Sequence, residues 1–429
     1  MDKIEISRAR IFRGEFSPPP DKSISHRAVI LSSLSKGKSS VKNLLRAKDT
    51  ESTINAFRAV GINIVDQGDN LIIYGKGLHG LSEPRDIIDC GNSGTTIRLV
   101  SGVLSGNRFF SVLTGDSSLR ARPMARVIKP LSLMGAEIIA RSDNQYPPIA
   151  IKGARLNSIK YSMPVASAQV KSSILLAGLY CDGETEIAEP AKSRDHTERM
   201  LPAFGADIEV DGLNVKVKGG RDLSPVEIKV PGDFSSAAFF IVASLLIPGG
   251  EIIVKNVGIN PTRTGLLEVL GKMGAHIEIT NLNEVSGEPV GDIYCKCVSR
   301  LKAVRLSEEA IPSLVDEFPV LCVAAALSEG TTTIRGAREL RVKESDRIKS
   351  ITSELRKMGA EIEEYPDGLS IKGSDTLHGA EVDSHEDHRI AMSMAVAALT
   401  AEGKTIINGA SSVEISFPEF FSLAKRLSS

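Results

Sequence analysis

The sequence has no excess of charge of either sign. Its 52 Lys and Arg residues stand against 53 Asp and Glu residues, which leaves a net charge of −1 at pH 7. Nucleic acids and anionic membrane surfaces select strongly basic partners. The composition therefore gives no general reason to expect either partner, and any recognition of an anion must depend on local groups of cations.

Long apolar runs are also missing, and none reaches the roughly 20 residues that a helix needs to cross a bilayer. The start, MDKIEISRAR, has no apolar signal-peptide core and carries acidic residues that transit peptides avoid. We therefore expect a cytoplasmic enzyme. With 429 residues and 42% apolar content, the chain can bury large cores, and its length suggests two or three domains.

The sequence offers little for disulfides or metals. Its cysteines are odd in number and scattered, which is typical of reduced core thiols: Cys90, Cys181, Cys295, Cys297 and Cys322. The seven histidines are dispersed, and no spacing fits a set of metal ligands. We expect no metal site.

An internal repeat is what the sequence does contain. Six segments each run from a polar start through a small apolar helix and a Gly turn into a β-rich stretch. The turn glycines recur at intervals of 67 to 80 residues: Gly37, Gly106, Gly183, Gly250, Gly330 and Gly403. A second helix and two strands follow in five copies, so each repeat is interpreted as a βαβαββ unit.

Six such units suggest two similar lobes of three. Lobe 1 is predicted at 17–231 (repeats 1–3), and lobe 2 at 1–16 plus 232–429 (repeats 4–6). The sixth copy lacks its final strands, whereas KIEIS and ARIFRGEF precede the first copy and suggest a strand pair. We predict that these N-terminal strands complete repeat 6.

Cations stand where first helices begin, although the helix macrodipole favours negative charge there. Lys22 and Arg27 lie at one such start, and His388 and Arg389 lie at another. A bound anion would resolve the conflict, whereas a solvated helix end is the alternative for any single copy. Further cations at motif positions are Arg122, Lys171, Arg194, Lys343 and Arg347. Their recurrence suits two polyanionic ligands.

Two more segments offer short polar groups. GNSGTT from Gly91 lets backbone approach a ligand, with Asn92 and Thr95 as donors, although it is not a Walker-type loop. Ser167 in SAQVKSS is either a ligand contact or an ordinary N-cap.

Two carboxylates stand among these cations. Asp316 lies in the apolar run SLVDEFPVL, and Glu344 lies between Lys343 and Arg347. Both suit general acid–base catalysis. Equally, Asp316 suits a helix cap, and Glu344 suits an i,i+3 partner of Arg347. The residues alone leave these alternatives open.

The chain resembles the 5-enolpyruvylshikimate-3-phosphate synthase family over essentially its whole length. The motifs that carry the resemblance are DKSISHR from Asp21, GNSGTT from Gly91, RPM from Arg122, SAQVKSS from Ser167, RVKESDR from Arg341 and DHR from Asp387. It implies an α/β (α+β) fold of two similar lobes, each an inside-out α/β barrel of three βαβαββ repeats. The active site would lie in the cleft between the lobes.

The resemblance also implies a reaction. The enolpyruvyl group of phosphoenolpyruvate passes to the 5-hydroxyl of shikimate 3-phosphate through a tetrahedral intermediate, and phosphate is released. This is the sixth step of chorismate and aromatic amino acid biosynthesis. It needs no metal or organic cofactor, its partners are these two small anions, and a monomer is expected. Gly94 matches the position where bulk hinders the herbicide glyphosate.

Site residues follow from the motif positions. The residues implied for shikimate 3-phosphate are Lys22, Ser23, Arg27, Ser167, Gln169, Asp316 and Lys343. Those implied for phosphoenolpyruvate are Lys22, Gly94, Arg122, Gln169, Arg347 and Arg389. Asp316 would take the 5-hydroxyl proton, Glu344 would protonate the methylene carbon, and Lys22 would share the proton traffic. Additional candidates are Asn92, Thr95, Lys171, Arg194, Glu339 and His388.

Two alternatives remain. A UDP-N-acetylglucosamine enolpyruvyl transferase shares the fold, but it carries Lys-Asn where this chain has Lys22-Ser23, and the loop TGDSSLRARP lacks its usual Cys. A non-catalytic repeat protein that binds small anions is the second. It would have no need of Asp316 and Glu344 among cations, a combination that favours catalysis.

Overall fold

The computed structural model describes residues 2–429 and divides into two compact units. The N-terminal unit comprises Pro20–Pro231 with the short segment Glu284–Glu288. The C-terminal unit comprises the chain up to Pro19, Gly232–Asn283 and Pro289–Ser429.

The bounds of these units differ from the predicted lobes at two places. Residues 17–19 belong to the C-terminal unit, and Glu284–Glu288 belongs to the N-terminal unit. The second difference has a local cause: the Ser286 hydroxyl accepts a hydrogen bond from the Lys229 N–H at 3.1 Å, and the Glu288 carboxylate lies 2.6 Å from Nδ1 of His196. Such contacts between distant segments have no local sequence signal.

The structure is a mixed α/β fold. Its strands are β1 (Lys3–Ser7), β2 (Arg13–Phe16), β3 (Lys36–Lys42), β4 (Asn63–Asp66), β5 (Asn70–Lys76), β6 (Ile88–Asp89), β7 (Phe110–Thr114), β8 (Glu137–Ala140), β9 (Tyr146–Lys152), β10 (Lys160–Ser162), β11 (Glu184–Ala188), β12 (Asp207–Asp211), β13 (Asn214–Lys218), β14 (Glu227–Lys229), β15 (Glu251–Gly258), β16 (His276–Val285), β17 (Glu288–Lys296), β18 (Arg305–Leu306), β19 (Thr331–Ile334), β20 (Glu361–Tyr365), β21 (Gly368–Lys372), β22 (Glu381–Asp383) and β23 (Lys404–Asn408). Its helices are α1 (Lys22–Leu34), α2 (Lys48–Ala59), α3 (Gly94–Ser105), α4 (Ala125–Leu133), α5 (Arg141–Asn144), α6 (Ala168–Gly178), α7 (His196–Met200), α8 (Phe234–Leu246), α9 (Gly265–Lys272), α10 (Phe318–Ala326), α11 (Arg347–Lys357), α12 (His388–Thr400) and α13 (Phe420–Leu427). Short 3₁₀ segments lie at Leu119–Ala121, Leu201–Phe204, Glu308–Ser313, Arg338–Val342 and Ala410–Ile415.

The repeat is visible in the sheets. In the sheets ordered β6-β7-β9-β8, β10-β11-β13-β12 and β18-β19-β21-β20, the first two strands are parallel and the others pair antiparallel. A parallel pair requires a crossover, which the first helix of each repeat provides. The sheet β14-β3-β5-β4 has the same arrangement, and its first strand is β14, the last strand of Pro20–Pro231, which pairs parallel with β3.

The two N-terminal strands do not pair with each other. Strand β1 pairs antiparallel with β23 and so completes the sixth sheet, β1-β23-β22, as predicted. Strand β2 instead pairs parallel with β15 and takes the first place in the fourth sheet, β16-β17-β15-β2. The prediction of a strand pair was wrong because adjacent strands in sequence favour, but do not require, pairing in space.

Each unit has its own hydrophobic core. The first helices of the repeats form its centre and are buried nearly all round, with α3 packed on α6 in the N-terminal unit and α12 packed on α8 and α10 in the other. A helix that is apolar on every side belongs inside a protein. The charged residues of these helices lie within their first two turns, and side-chain caps such as Asp21, Ser93 and Asp387 bind backbone N–H groups just before them.

Candidate active site

In the N-terminal unit, the starts of α3 and α6 lie side by side. Nη1 of Arg98, in the second turn of α3, donates to the Gln169 side-chain oxygen at 2.5 Å. The Gln169 amide in turn donates to the Thr95 hydroxyl at 2.9 Å. These bonds bring together two segments that the sequence singled out separately, GNSGTT and SAQVKSS. We call the polar side chains at the starts of α1, α3 and α6, together with Arg122, the N-terminal half-site.

Lys22 opens α1 and is paired with Asp49. The ammonium nitrogen lies 3.1 Å from Oδ2 of Asp49, and both side chains are largely buried, at 15% and 10% exposure. Asp49 lies in the first turn of α2, where an acid is ordinary, so sequence analysis missed it. Through Asp49, the second helix of repeat 1, α2, orients Lys22 of the first helix, α1.

Arg27 is held by neutral oxygen atoms. Its Nε and Nη2 donate to the hydroxyls of Thr197 and Ser172, each at 2.7 Å, and Nη1 donates to the Ser23 carbonyl at 3.0 Å. Burial lowers the pKa of Arg27 to about 10, with the charge of Glu198 acting against it, so the guanidinium stays protonated at neutral pH. The arginine is thus fixed in orientation by groups that do not neutralise it.

Gly94 and Arg122 form the third part of this half-site. The Arg122 guanidinium donates to the Asn92 side-chain oxygen at 2.5 Å and to the Ser118 hydroxyl at 3.2 Å. A Cβ atom at Gly94 would lie 3.0 Å from Nη1 of Arg98 and 3.2 Å from Nη1 of Arg122. Glycine therefore lets two guanidinium groups approach the start of α3 more closely than a residue with a Cβ atom would.

Lys171 forms ion pairs in the interior of the N-terminal unit. Its side chain is fully buried, with Nζ 2.7 Å from Oε2 of Glu189 and 2.6 Å from Oε1 of Glu198. Burial raises the pKa of Glu198 against the opposing charge of Lys171. This triad belongs to the interior, and the sequence could not tell which face of α6 the lysine leaves.

The remaining N-terminal candidates are more exposed. Ser23 and Ser167 are half-buried, and the Ser167 hydroxyl accepts a long N-cap bond of 3.5 Å from the Val170 N–H. Arg194 is half-buried and near enough to Arg27 for its charge to contribute to the lowered pKa of Arg27. Ser167 therefore serves as the cap that its sequence context allowed, in a weak form.

In the C-terminal unit, one arginine gathers three carboxylates. Arg347 opens α11, is 1% exposed, and contacts Asp387 at 2.9 Å, Asp316 at 3.0 Å and Glu344 at 2.6 Å. Burial opposes its ionisation, but Asp387, Glu344 and Asp316 outweigh this and raise the pKa of Arg347 further. Both predicted catalytic carboxylates thus lie on the same guanidinium.

Arg389 completes this arrangement. Its Nη2 lies 3.1 Å from Oδ2 of Asp316, and its Nη1 donates to the Asp316 carbonyl at 3.4 Å. Asp316 is therefore a bridge between two arginines that come from α11 and α12. His388 opens α12 beside Arg389 and is buried. We call Asp316, Lys343, Glu344, Arg347, Asp387 and Arg389 the C-terminal half-site.

Lys343 is the titratable cation of the C-terminal half-site. Removal from water lowers the pKa of Lys343 to about 8, Arg347 acts in the same direction, and the charges of Asp316, Glu344 and Glu339 oppose them. Lysine, unlike arginine, loses its charge within reach of ordinary pH when it is buried. With Lys343 protonated, three cations balance the three carboxylates of this half-site.

Sequence analysis missed Asp387 as a site residue. It was quoted only within the DHR motif, where an Asp before a helix is an ordinary N-cap. It does cap α12 through the Arg389 N–H at 2.9 Å, and it is fully buried against Arg347 at the same time. The signal that was available is that a capping acid sits next to a cation in the same motif.

Neither a metal-ligand cluster nor a membrane-spanning helix is found among the described residues. Among residues 2–429, no group of three or more His, Cys, Asp or Glu side chains is arranged to hold a metal ion. Within the same range, no helix combines the length and the hydropathy that a membrane span requires.

Comparison with known proteins identifies the family. The family model of EPSP synthase (3-phosphoshikimate 1-carboxyvinyltransferase) matches residues 7–423. The chain is similar to a 3-phosphoshikimate 1-carboxyvinyltransferase of Thermodesulfovibrio yellowstonii, with 55% identity over 429 residues and 100% of both chains covered. It is similar to another of Syntrophomonas wolfei, with 53% identity over 430 residues and 100% of both covered.

A solved structure agrees. The EPSP synthase from Acinetobacter baumannii matches with a TM-score of 0.88 and 44% identity, covering 100% of this chain and 98% of that one. The predicted resemblance and the α/β fold class are confirmed. The chain belongs to the EPSP synthase family, also called the 3-phosphoshikimate 1-carboxyvinyltransferase family.

Proposed function

We propose that this chain transfers the enolpyruvyl group of phosphoenolpyruvate to the 5-hydroxyl of shikimate 3-phosphate and that its two half-sites act on the same pair of substrates. In this proposal the two units correspond to the predicted lobes, and the enzyme works as a monomer in the cytoplasm. The observation that carries it is the pair of carboxylates, Asp316 and Glu344, on the guanidinium of Arg347. A protein that only bound anions would not need acids there.

Shikimate 3-phosphate is assigned mainly to the N-terminal half-site. Arg27 supports this because it is buried, charged and held only in orientation by Thr197 and Ser172. Lys22 adds charge at the start of α1, where free backbone N–H groups favour an anion. The full set is Lys22, Ser23, Arg27, Ser167 and Gln169, with Asp316 and Lys343 from the C-terminal half-site.

Phosphoenolpyruvate is assigned to cations of both units. Arg347 and Arg389 carry forks suited to phosphate and carboxylate, and Gly94 clears space beside Arg122. The C-terminal half-site is close to electrically balanced by itself, with three cations and three carboxylates. The full set is Lys22, Gly94, Arg122, Gln169, Arg347 and Arg389.

The chemistry has an addition and an elimination. Asp316 takes the proton of the 5-hydroxyl while the hydroxyl oxygen bonds to C2 of phosphoenolpyruvate. Glu344 donates a proton to C3, and the tetrahedral intermediate results. In the elimination Glu344 takes a proton back from C3, the bond from C2 to the bridging phosphate oxygen breaks, and phosphate leaves with the proton that Asp316 took from the 5-hydroxyl. An anion that competes for the N–H groups of Arg347 would weaken its hold on Glu344 and favour the protonated acid.

The acceptor is tested by phosphate release from phosphoenolpyruvate. We expect release with shikimate 3-phosphate and none with UDP-N-acetylglucosamine, measured side by side at equal concentrations. Release with the UDP-sugar alone would overturn the acceptor but keep the fold. No release with either would favour the anion-binding protein.

Lys343 predicts a pH dependence for one substrate. Because its pKa is about 8, the ammonium is charged below that pH and neutral above it. The KM for shikimate 3-phosphate should therefore rise as pH increases through about 8, whereas Lys343→Arg, which stays charged, should show a flat profile. The comparison is of the shapes of the two KM profiles, since the variant can shift the absolute value. The same upward bend in both proteins would contradict the assignment.

A further inference from the structure

The turn that leads into α12 has an unusual backbone. His385 and Glu386 have φ angles of +52° and +57°, and they directly precede Asp387. Residues with a Cβ atom rarely adopt this left-handed conformation, and two in succession are rarer. Such a turn persists only when its surroundings impose it.

Local bonds from the His385 N–H to Asp383 and from the Glu386 N–H to the Ser384 hydroxyl hold this turn, and a buried carboxylate contacts it. Glu354 of α11 is fully buried and accepts four hydrogen bonds. Its Oε1 accepts from Nε2 of His385 at 2.9 Å and from the Ser353 hydroxyl at 3.0 Å, and its Oε2 accepts from Nζ of Lys357 at 2.7 Å and from the Asp383 N–H at 2.9 Å. The glutamate therefore ties α11 to the end of β22 and to the turn.

The same two elements carry the C-terminal half-site. Arg347 begins α11 two turns before Glu354, so the two side chains lie on the same face of the helix. The turn continues through Asp387, whose N–H donates to the Ser384 carbonyl at 3.0 Å, to Arg389. Two ion pairs thus join α11 to the turn before α12: the Arg347–Asp387 pair at one end and the Glu354–His385 pair at the other.

We propose that the Glu354–His385 pair positions Arg389 for phosphoenolpyruvate and that this hold weakens when His385 loses its proton. The pair touches neither substrate in the proposed function, so both are positioning residues. The inference rests on the proposed role of Arg389 in binding phosphoenolpyruvate.

The charges around His385 set the direction of the effect. The hydrogen bond from His385 to Glu354 raises the pKa of His385 above 6.5, with Asp383 acting in the same direction and burial and Lys357 against it. Burial also opposes ionisation of Glu354, but its bonds from His385, Lys357 and Asp383 lower the pKa of Glu354 to about 2. The ion pair is therefore complete below pH 6.5, and the attraction from the His385 charge is lost as pH rises through the raised pKa of His385, which leaves at most a hydrogen bond between neutral His385 and Glu354.

The test compares the wild type with His385→Asn between about pH 6 and about pH 9, which spans the titration of histidine. In the wild type, the KM for phosphoenolpyruvate should rise about 3- to 10-fold over this range, with kcat little changed. The variant should show the raised KM at every pH. Asn tolerates left-handed backbone, so the turn is kept. The ratio of the two profiles cancels the ionisation of the substrate and of Lys343.

Two further variants complete the comparison. Glu354→Gln should reproduce the high, flat KM and should return the His385 ring to an ordinary titration in NMR. His378→Asn is the matched control, because His378 is 62% exposed and lies 4.0 Å from Glu402 in the same unit. It should keep the wild-type profile.

The variant Arg389→Lys distinguishes a failure of the positioning role from a failure of the proposed function. If it raises the KM for phosphoenolpyruvate while His385→Asn and Glu354→Gln keep the wild-type profile, the positioning role is overturned and the proposed function stands. If Arg389→Lys leaves that KM unchanged, the assignment of Arg389 fails and the inference fails with it. A high, flat KM in both positioning variants, with Arg389→Lys also raised, supports the proposal.

Discussion

Replacing Asp316 with Asn should lower kcat by about 10²- to 10⁴-fold, the usual contribution of a general base. The amide keeps the size of the carboxylate, but its single oxygen can accept from only one of Arg347 and Arg389, its NH2 group faces the other, and it cannot take the 5-hydroxyl proton. The KM for phosphoenolpyruvate should not increase, because the change removes a negative charge beside two cations. Steady-state kinetics with both substrates varied would measure the two effects.

The matched control for Asp316→Asn is Asp375→Asn. Asp375 is 89% exposed and pairs only at the surface with Arg300, at 2.7 Å. Its variant should keep wild-type kinetics. Far-UV circular dichroism and the melting temperature should show that both variants fold. A kcat for Asp316→Asn within a few-fold of the wild-type value would remove Asp316 from the role of base.

Arg347→Met should be the most destabilising substitution in the C-terminal half-site. It leaves Asp316, Glu344 and Asp387 without their shared cation, and breaking a buried ion pair typically costs about 3–5 kcal/mol in the free energy of unfolding. Loss of its charged hydrogen bonds should also raise the KM for phosphoenolpyruvate about 10- to 100-fold. Unfolding in urea and steady-state kinetics would measure the two losses separately.

Arg341→Met is the matched control for that substitution. Arg341 belongs to the same RVKESDR motif and pairs with Asp346 at 2.8 Å and Glu364 at 2.9 Å, but its side chain is 23% exposed. Partly exposed pairs usually contribute about 1 kcal/mol or less. Equal losses of stability in the two variants would show that the three carboxylates do not depend on Arg347.

The repeats could be predicted because their signals are local. A capped apolar helix, a turn glycine and alternating strands lie within each stretch of about 70 residues, so the six copies are visible without knowledge of the fold. The partners of β2 and β14 could not be predicted in the same way. Strand β2 joins β15 and β14 joins β3, and pairs so far apart in sequence leave no local pattern.

The residues of the candidate site also differ in whether they have a local sequence signal. Residues such as Arg347 and Gly94 could be proposed from the sequence because they lie in distinctive motifs. Asp49 and Asp387 were missed because an acid in a first turn or at an N-cap needs no further explanation. The contacts of Lys171 with Glu189 and Glu198 could not be predicted, because motif position does not reveal which way a side chain points.

The placement of β1 and β2 has a consequence for synthesis on the ribosome. These strands are made before Pro20–Pro231, yet their partners β23 and β15 end at Asn408 and Gly258. Domains generally fold as units while translation proceeds. The stretch Pro20–Pro231 can therefore collapse on its own core while the leading strands wait unpaired. The sixth sheet of the C-terminal unit can form only after β23 has emerged.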